Sequence, residues 1–132
     1  MLLVDTHVLV DVLQDDPQWA DGSIGQMRAQ ASIHPLAINA VIHAEISLSF
    51  STLEALDGVV ATLALELREI PRTALCLAAR AHAQYRRRGG NEPQVLPDFF
   101  IGAHAAVEGW PLLTRDGVRF RTWFPALEVL AP

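Results

Sequence analysis

The chain of 132 residues contains no lysine; its ten basic residues are all arginine, set against fifteen acids for a formal charge of −5. That balance excludes a uniformly basic nucleic-acid-binding surface and leaves local arginine clusters as the source of any such contacts. A single cysteine, Cys76, excludes an intramolecular disulfide and every multi-cysteine zinc site. Set between Leu75 and Leu77, it reads as a small core residue rather than a nucleophile. Long apolar runs are missing too. The longest stretch free of acids and bases, Ala29–Ala44, is broken by two histidines, a proline and an asparagine, so no membrane span is expected. The N-terminus has no basic segment and an acid at position 5, which is unlike a secretory signal. What remains is 51% hydrophobic and 19% charged, in a length that suits one cytoplasmic domain over residues 1–132.

Short apolar runs alternate with helical patterns. Leu2–Val4, Ile33–Ile38, Glu66–Ile70, Pro111–Thr114 and Leu127–Leu130 read as strands. Between them, Val8, Leu9, Val12 and Leu13 share one helical face, and Asp16-Pro17 reads as a cap and first residue of a helix that Gly22 and Gly25 weaken. Asn39 caps a helix through Phe50, Ser51 or Thr52 opens another, Pro71 starts one that Gly89-Gly90 stops, and Pro97–Glu108 is a further helix. The fold class is therefore α/β, a short central parallel sheet flanked by helices.

Four acids stand in positions that call for explanation. Asp5 ends the first strand, at the sheet edge where α/β folds bind ligands, although an aspartate there also serves as a helix cap. Glu45 has Val41, Ile42 and Leu48 among its four helical neighbours, which puts a carboxylate on an inward face. It is either part of a site or half of a buried ion pair with Arg80 or Arg115. Asp98 begins a helix after Pro97, where it complements the dipole, yet it shares a face with Ile101, Gly102 and Ala105 that suits close packing. Asp116 follows the strand Leu112-Leu113 in an Asp-Gly pair that by itself reads as a turn. Asp11, Asp15 and Asp16 read as surface or capping acids and stand outside the set.

Clustered carboxylates repel, and without a cation some must stay protonated. A hard divalent ion, Mg²⁺ or in its place Mn²⁺, answers this with oxygen ligands and waters. The chemistry such a set supports is metal-assisted phosphodiester hydrolysis.

Leu3-Val4-Asp5-Thr6, the run Leu36–Ile46, Pro97-Asp98 with Ile101–Ala105, and Leu113-Thr114-Arg115-Asp116 together resemble the PIN-domain ribonucleases. Within them the chain looks most like the VapC toxins of toxin–antitoxin operons, over essentially its whole length. The resemblance implies Asp5, Glu45, Asp98 and Asp116 as the catalytic, metal-binding acids and Thr6 and Thr114 as supporting polar groups. It also implies a cognate VapB-like antitoxin and a homodimer. Two departures stand out. His7 occupies a position that is usually small and polar, and Gly117, Val118 and Arg119 follow Asp116 where many relatives carry another acid, which puts a second metal in question.

Arg86, Arg87 and Arg88 form the one strong basic run. It reads either as a solvated helix end or as a set of phosphate contacts, with Arg115, Arg119 and Arg121 as further candidates. Trp110, Phe120, Trp123 and Phe124 read as core or dimer contacts. The expected activity is that of a Mg²⁺-dependent endoribonuclease acting as a toxin. Its rivals are a metal-dependent DNA nuclease or phosphatase using the same acids, and a non-catalytic module that binds RNA or a partner.

Overall fold

Leu2, Leu3 and Val4 are fully buried because they form the middle of a sheet covered on both faces. The computed structural model describes residues 1–132 and runs β1 (Leu2–Val4), α1 (Thr6–Leu13), α2 (Ala20–Ala31), β2 (Leu36–Ile38), α3 (Ala40–Ser47) and α4 (Leu53–Thr62). It continues β3 (Leu65–Leu67), α5 (Arg72–Arg87), α6 (Leu96–Glu108), β4 (Leu112–Leu113), α7 (Gly117–Trp123) and β5 (Val129–Leu130). The five strands lie in the order β3-β2-β1-β4-β5, and every pairing is parallel. An α/β fold with a short central parallel sheet is therefore what the chain adopts.

From β1 the chain winds outward through β2 and β3, then returns to place β4 on the other side of β1. That reversal opens a crevice at the C-terminal ends of β1 and β4, where an α/β sheet takes its ligands. One cluster of 25 buried residues fills both faces, built from the strands and from Val8, Leu9, Ile42, Ile46, Phe99, Ile101 and Phe120.

Local chemistry sets the helix starts. Asp5 caps α1 through Thr6 N–H, the Asn39 side chain accepts from Ile42 N–H at 3.0 Å to cap α3, and Thr52 accepts from Ala55 N–H to cap α4. Pro71 is the cap residue of α5, and Gly109 ends α6 in the left-handed conformation at φ 70°.

Several expectations need correction. β1 has the expected bounds, while β2, β4 and β5 are shorter than the apolar runs suggest and β3 is shortened and begins one residue earlier, at Leu65. Asp16 caps an isolated turn at Gln18 and Trp19, and α2 begins only at Ala20. Helix α7 was not expected, because Asp116-Gly117 reads as a turn and Phe120 is its one buried side chain. Cys76 is exposed rather than in the core: the buried stripe of α5 is Ala74 and Ala78, and a residue two positions from either turns outward.

Candidate metal centre

The centre begins with Asp5, which is 1% exposed at the junction of β1 and α1. Its Oδ1 accepts from Thr6 N–H at 2.8 Å and its Oδ2 from the Thr114 hydroxyl at 2.7 Å. Thr114 follows β4, so this bond ties the ends of two adjacent strands together across the crevice. Thr114 Oγ1 also accepts from Asp116 N–H at 3.1 Å, fixing the turn into α7. The Thr6 hydroxyl donates to Glu45 Oε1 at 2.7 Å. Two threonines thus connect Asp5, Glu45 and Asp116.

Burial pushes the Asp5 carboxyl up; the bond from Thr114 and the charge of His7 oppose this, and the negative charge of Asp116 adds to it. Asp98, in the first turn of α6, is pushed up to about 6. Burial is the main cause, followed by repulsion from Asp5, while Arg119 pulls the value down and Glu45 pushes it up again. Asp98 therefore lies within electrostatic reach of Asp5 and Glu45, and Asp5 within reach of Asp116, the four acids being brought in from β1, α3, α6 and the end of β4.

Glu45 departs from expectation in one respect. The inward stripe of α3 is Ile42 and Ile46, and Leu48, counted as an inward neighbour, is 92% exposed. Glu45 is half-buried at the rim and is held by Thr6; it makes no ion pair with Arg80 or Arg115. Arg115 pairs instead with Asp11 (Nη1 to Oδ2, 3.2 Å) and lies 5.3 Å over the Trp19 ring. Asp11 is thus a buried acid of α1, where the sequence suggested a surface one, and burial raises its carboxyl despite Arg115.

Glu92 joins the site without having been singled out for it, and Arg119, a candidate phosphate contact in the sequence, is instead paired with acids. Arg119 Nη1 donates to Asp98 Oδ2 at 2.9 Å, and its Nη2 pairs with Glu92 on the loop before α6. Arginine beside an acidic cluster is visible in the sequence, but the loop that supplies Glu92 is not. Thr114, Arg115, Asp116, Arg119 and Arg121 line a groove of about 580 Å³ that opens beside the acids. Of the basic run at the end of α5, Arg86 and Arg87 are solvated, and Arg88 lines a separate cleft of about 390 Å³ with Tyr85, Gly90, Thr122 and Trp123. Among the histidines, His104 is buried and accepts at Nδ1 from the Asn39 amide, 3.1 Å away; burial depresses its basicity. His7 is exposed.

No three acid, histidine or cysteine side chains converge into a ready-made coordination shell. The donor set nonetheless fits a hard cation held partly through waters. It offers carboxylate oxygens only, Asp98 is strained by its neighbours' charge, and neither side-chain oxygen of Asp116 caps α7.

The sequence pattern that defines the PIN domain matches residues 2–122. The chain belongs to the PIN-domain family. Among solved structures, this PIN domain resembles a chain of VapBC2 from Rickettsia felis, bound to a DNA fragment from its promoter, at TM-score 0.76 and 17% identity over 98% of this chain and 97% of that one. VapBC-1 from nontypeable Haemophilus influenzae matches at TM-score 0.73 and 13% identity, covering 98% and 96%. A toxin–antitoxin complex from Klebsiella pneumoniae matches at 0.61 and 19%, again covering 98% and 96%. At such identities the likeness is one of fold. No curated protein matches this chain by sequence. PIN domains are generally nucleases that use divalent metal ions, and no helix of this one is long and apolar enough to cross a membrane.

Proposed function

We propose that this PIN domain is a Mg²⁺-dependent endoribonuclease of the VapC type, with Mn²⁺ as a substitute ion, acting as a toxin. The observation that carries the reading is the mutual approach of Asp5, Glu45 and Asp98, three acids from distant parts of the chain, at the switch point of a PIN fold. Asp5, Glu45, Asp98 and Asp116 would hold the ion together with waters. When bound, such an ion neutralises the charge that builds on the phosphoryl oxygens and polarises the phosphorus toward attack.

The chain's own residues supply the rest. Thr6 and Thr114 fix Asp5, so that its carboxylate needs no reorganisation during the reaction. Thr6 occupies Glu45 Oε1, and Oε2 remains to orient the attacking water and accept its proton. Water adds to phosphorus, the P–O bond to the leaving ribose oxygen breaks, and that oxygen takes up a proton. Arg115, with Arg121 in the same groove, and Arg86, Arg87 and Arg88 at the end of α5 grip backbone phosphates and set affinity. The partners that accompany this activity are a VapB-like antitoxin and a second copy of the chain, in the cytoplasm. They are drawn from the toxin–antitoxin character of the structural relatives and the resemblance of the motifs.

The test is cleavage of total RNA by purified, antitoxin-free protein with Mg²⁺ and with EDTA, alongside single-stranded DNA and a small phosphate ester. Fragments of RNA alone, formed with Mg²⁺ and lost both in EDTA and in Asp5→Asn, are the expected result. RNA cleavage by a folded Asp5→Asn chain would refute the assignment, and turnover of DNA or of the ester would redirect it.

A further inference from the structure

Helices α3 and α6 pack against each other. Asn39, the cap of α3, meets His104 in the body of α6. Glu45, six positions after Asn39, lies within reach of the charge of Asp98, six positions before His104. The two helices therefore run antiparallel, with the acids at one level and Asn39 and His104 at another, about 9 Å further along at 1.5 Å per residue. Midway on the same steps stand Ile42 and Ile101, both fully buried. Apolar contact has no direction and tolerates sliding, and two carboxylates repel. The contact between Asn39 Nδ2 and His104 Nδ1, at 3.1 Å, is the one hydrogen bond that joins these helices, and no ion pair does so.

Donor and acceptor are fixed on both sides of this bond. Asn39 Oδ1 accepts from Ile42 N–H at 3.0 Å, so the amide NH₂ is what turns towards His104. His104 must then accept at Nδ1 and carry its proton at Nε2, as a neutral ring. Both side chains are fully buried, and Nε2 finds no partner in the chain. A leucine in that space would strand no donor, so a histidine here costs stability. What it adds is direction, since a buried polar pair can form in one register alone. We propose that His104 is a positioning residue of the acidic centre, locking α3 to α6 through Asn39 in the register that brings Glu45 level with Asp98. The inference rests on the metal-centre reading given above.

Three variants test it, read by Mn²⁺ affinity in calorimetry and by the split between kcat and KM for RNA. His104→Leu fills the space and removes the acceptor. Asn39→Ser keeps an oxygen to cap Ile42 N–H but is too short to reach His104. His104→Asn puts an amide oxygen close to the position of Nδ1. In the first two, Mn²⁺ should bind about tenfold more weakly and kcat should fall about 10- to 100-fold, while KM, set by the arginines, stays within about twofold. His104→Asn should recover most of both losses. If the first two variants fold and merely melt earlier, with wild-type Mn²⁺ affinity and kcat, the bond is a structural contact only and the proposal falls, while the nuclease reading stands. Should His104→Leu not fold, Asn39→Ser decides alone. A wild-type chain that binds Mn²⁺ without cutting RNA refutes the nuclease reading only, and Mn²⁺ affinity still decides for or against the lock. A wild-type chain that binds no Mn²⁺ removes the metal centre, and the role of His104 with it.

Discussion

Replacing Asp98 with asparagine should make the metal-free protein more stable, although it removes a residue of the site. Asp98 ordinarily titrates near 3.8 and in the folded chain near 6, so the folded state holds this proton more tightly than the unfolded one. Stability from this group is present in full below about pH 4 and is lost as pH rises towards 6. The interval from 3.8 to about 6, at 1.36 kcal/mol per pH unit, corresponds to a cost of about 3 kcal/mol for the ionised form at neutral pH. The side chain is 22% exposed, and solvent screening reduces this to about 1–2 kcal/mol. For a domain of this size that is a rise in Tm of roughly 4–8 °C. Melts of wild type and Asp98→Asn in EDTA between pH 4 and pH 8 should converge at the acid end and separate above pH 6, with the variant higher. Asp11 is displaced in the same direction in both chains and cancels in the difference, while Asp5, which repels Asp98, is relieved in the variant and adds to the gap. Excess Mg²⁺ should reverse the order, because only the wild type keeps the full set of ligands. A variant less stable than wild type in EDTA at pH 7.5, or a gap that does not change with pH, would refute the reasoning.

Gly102→Ala should cost about 1–3 kcal/mol in urea unfolding, because a Cβ there meets Phe124 Cε2 at 2.5 Å and Phe120 Cδ1 at 2.9 Å, both in buried rings. An unchanged midpoint would mean that α6 and α7 do not pack this closely. Arg115→Ala should cost about 2 kcal/mol by leaving Asp11 buried without its counter-charge, and adding Asp11→Asn should recover most of the loss. A double variant as unstable as Arg115→Ala alone would show that the arginine acts through Trp19 instead.

The central strands were legible because each is a pure apolar run, and the caps at Asp5 and Asn39 because a single side chain decides a helix start, while the cap of α4 was narrowed only to Ser51 or Thr52. The four acids could be picked out because each sits where a helix or strand ends, or beside an apolar stripe. What escaped was settled by partners distant in the chain. Asp11 looks like a surface acid until Arg115 arrives from beyond β4, and the choice of Glu92 as a partner for Arg119 depends on how one loop lies over Tyr85. Helix α7 carries too few apolar positions to show a period, since Phe120 alone is buried along it. Cys76 was misplaced because flanking leucines say less about a helix face than spacing does.

The hydroxyl that links Thr114 to Asp5 spans 109 positions of sequence. While the chain is being made on the ribosome, Asp5 emerges early and its partner late, and β1 lacks one of its two neighbouring strands until β4 has been synthesised. The parts of the centre can come together only after Thr114 has been made. Under the proposed RNA-cleaving function, the nascent chain is thus inert towards the RNA that encodes it until β4 and Thr114 have emerged.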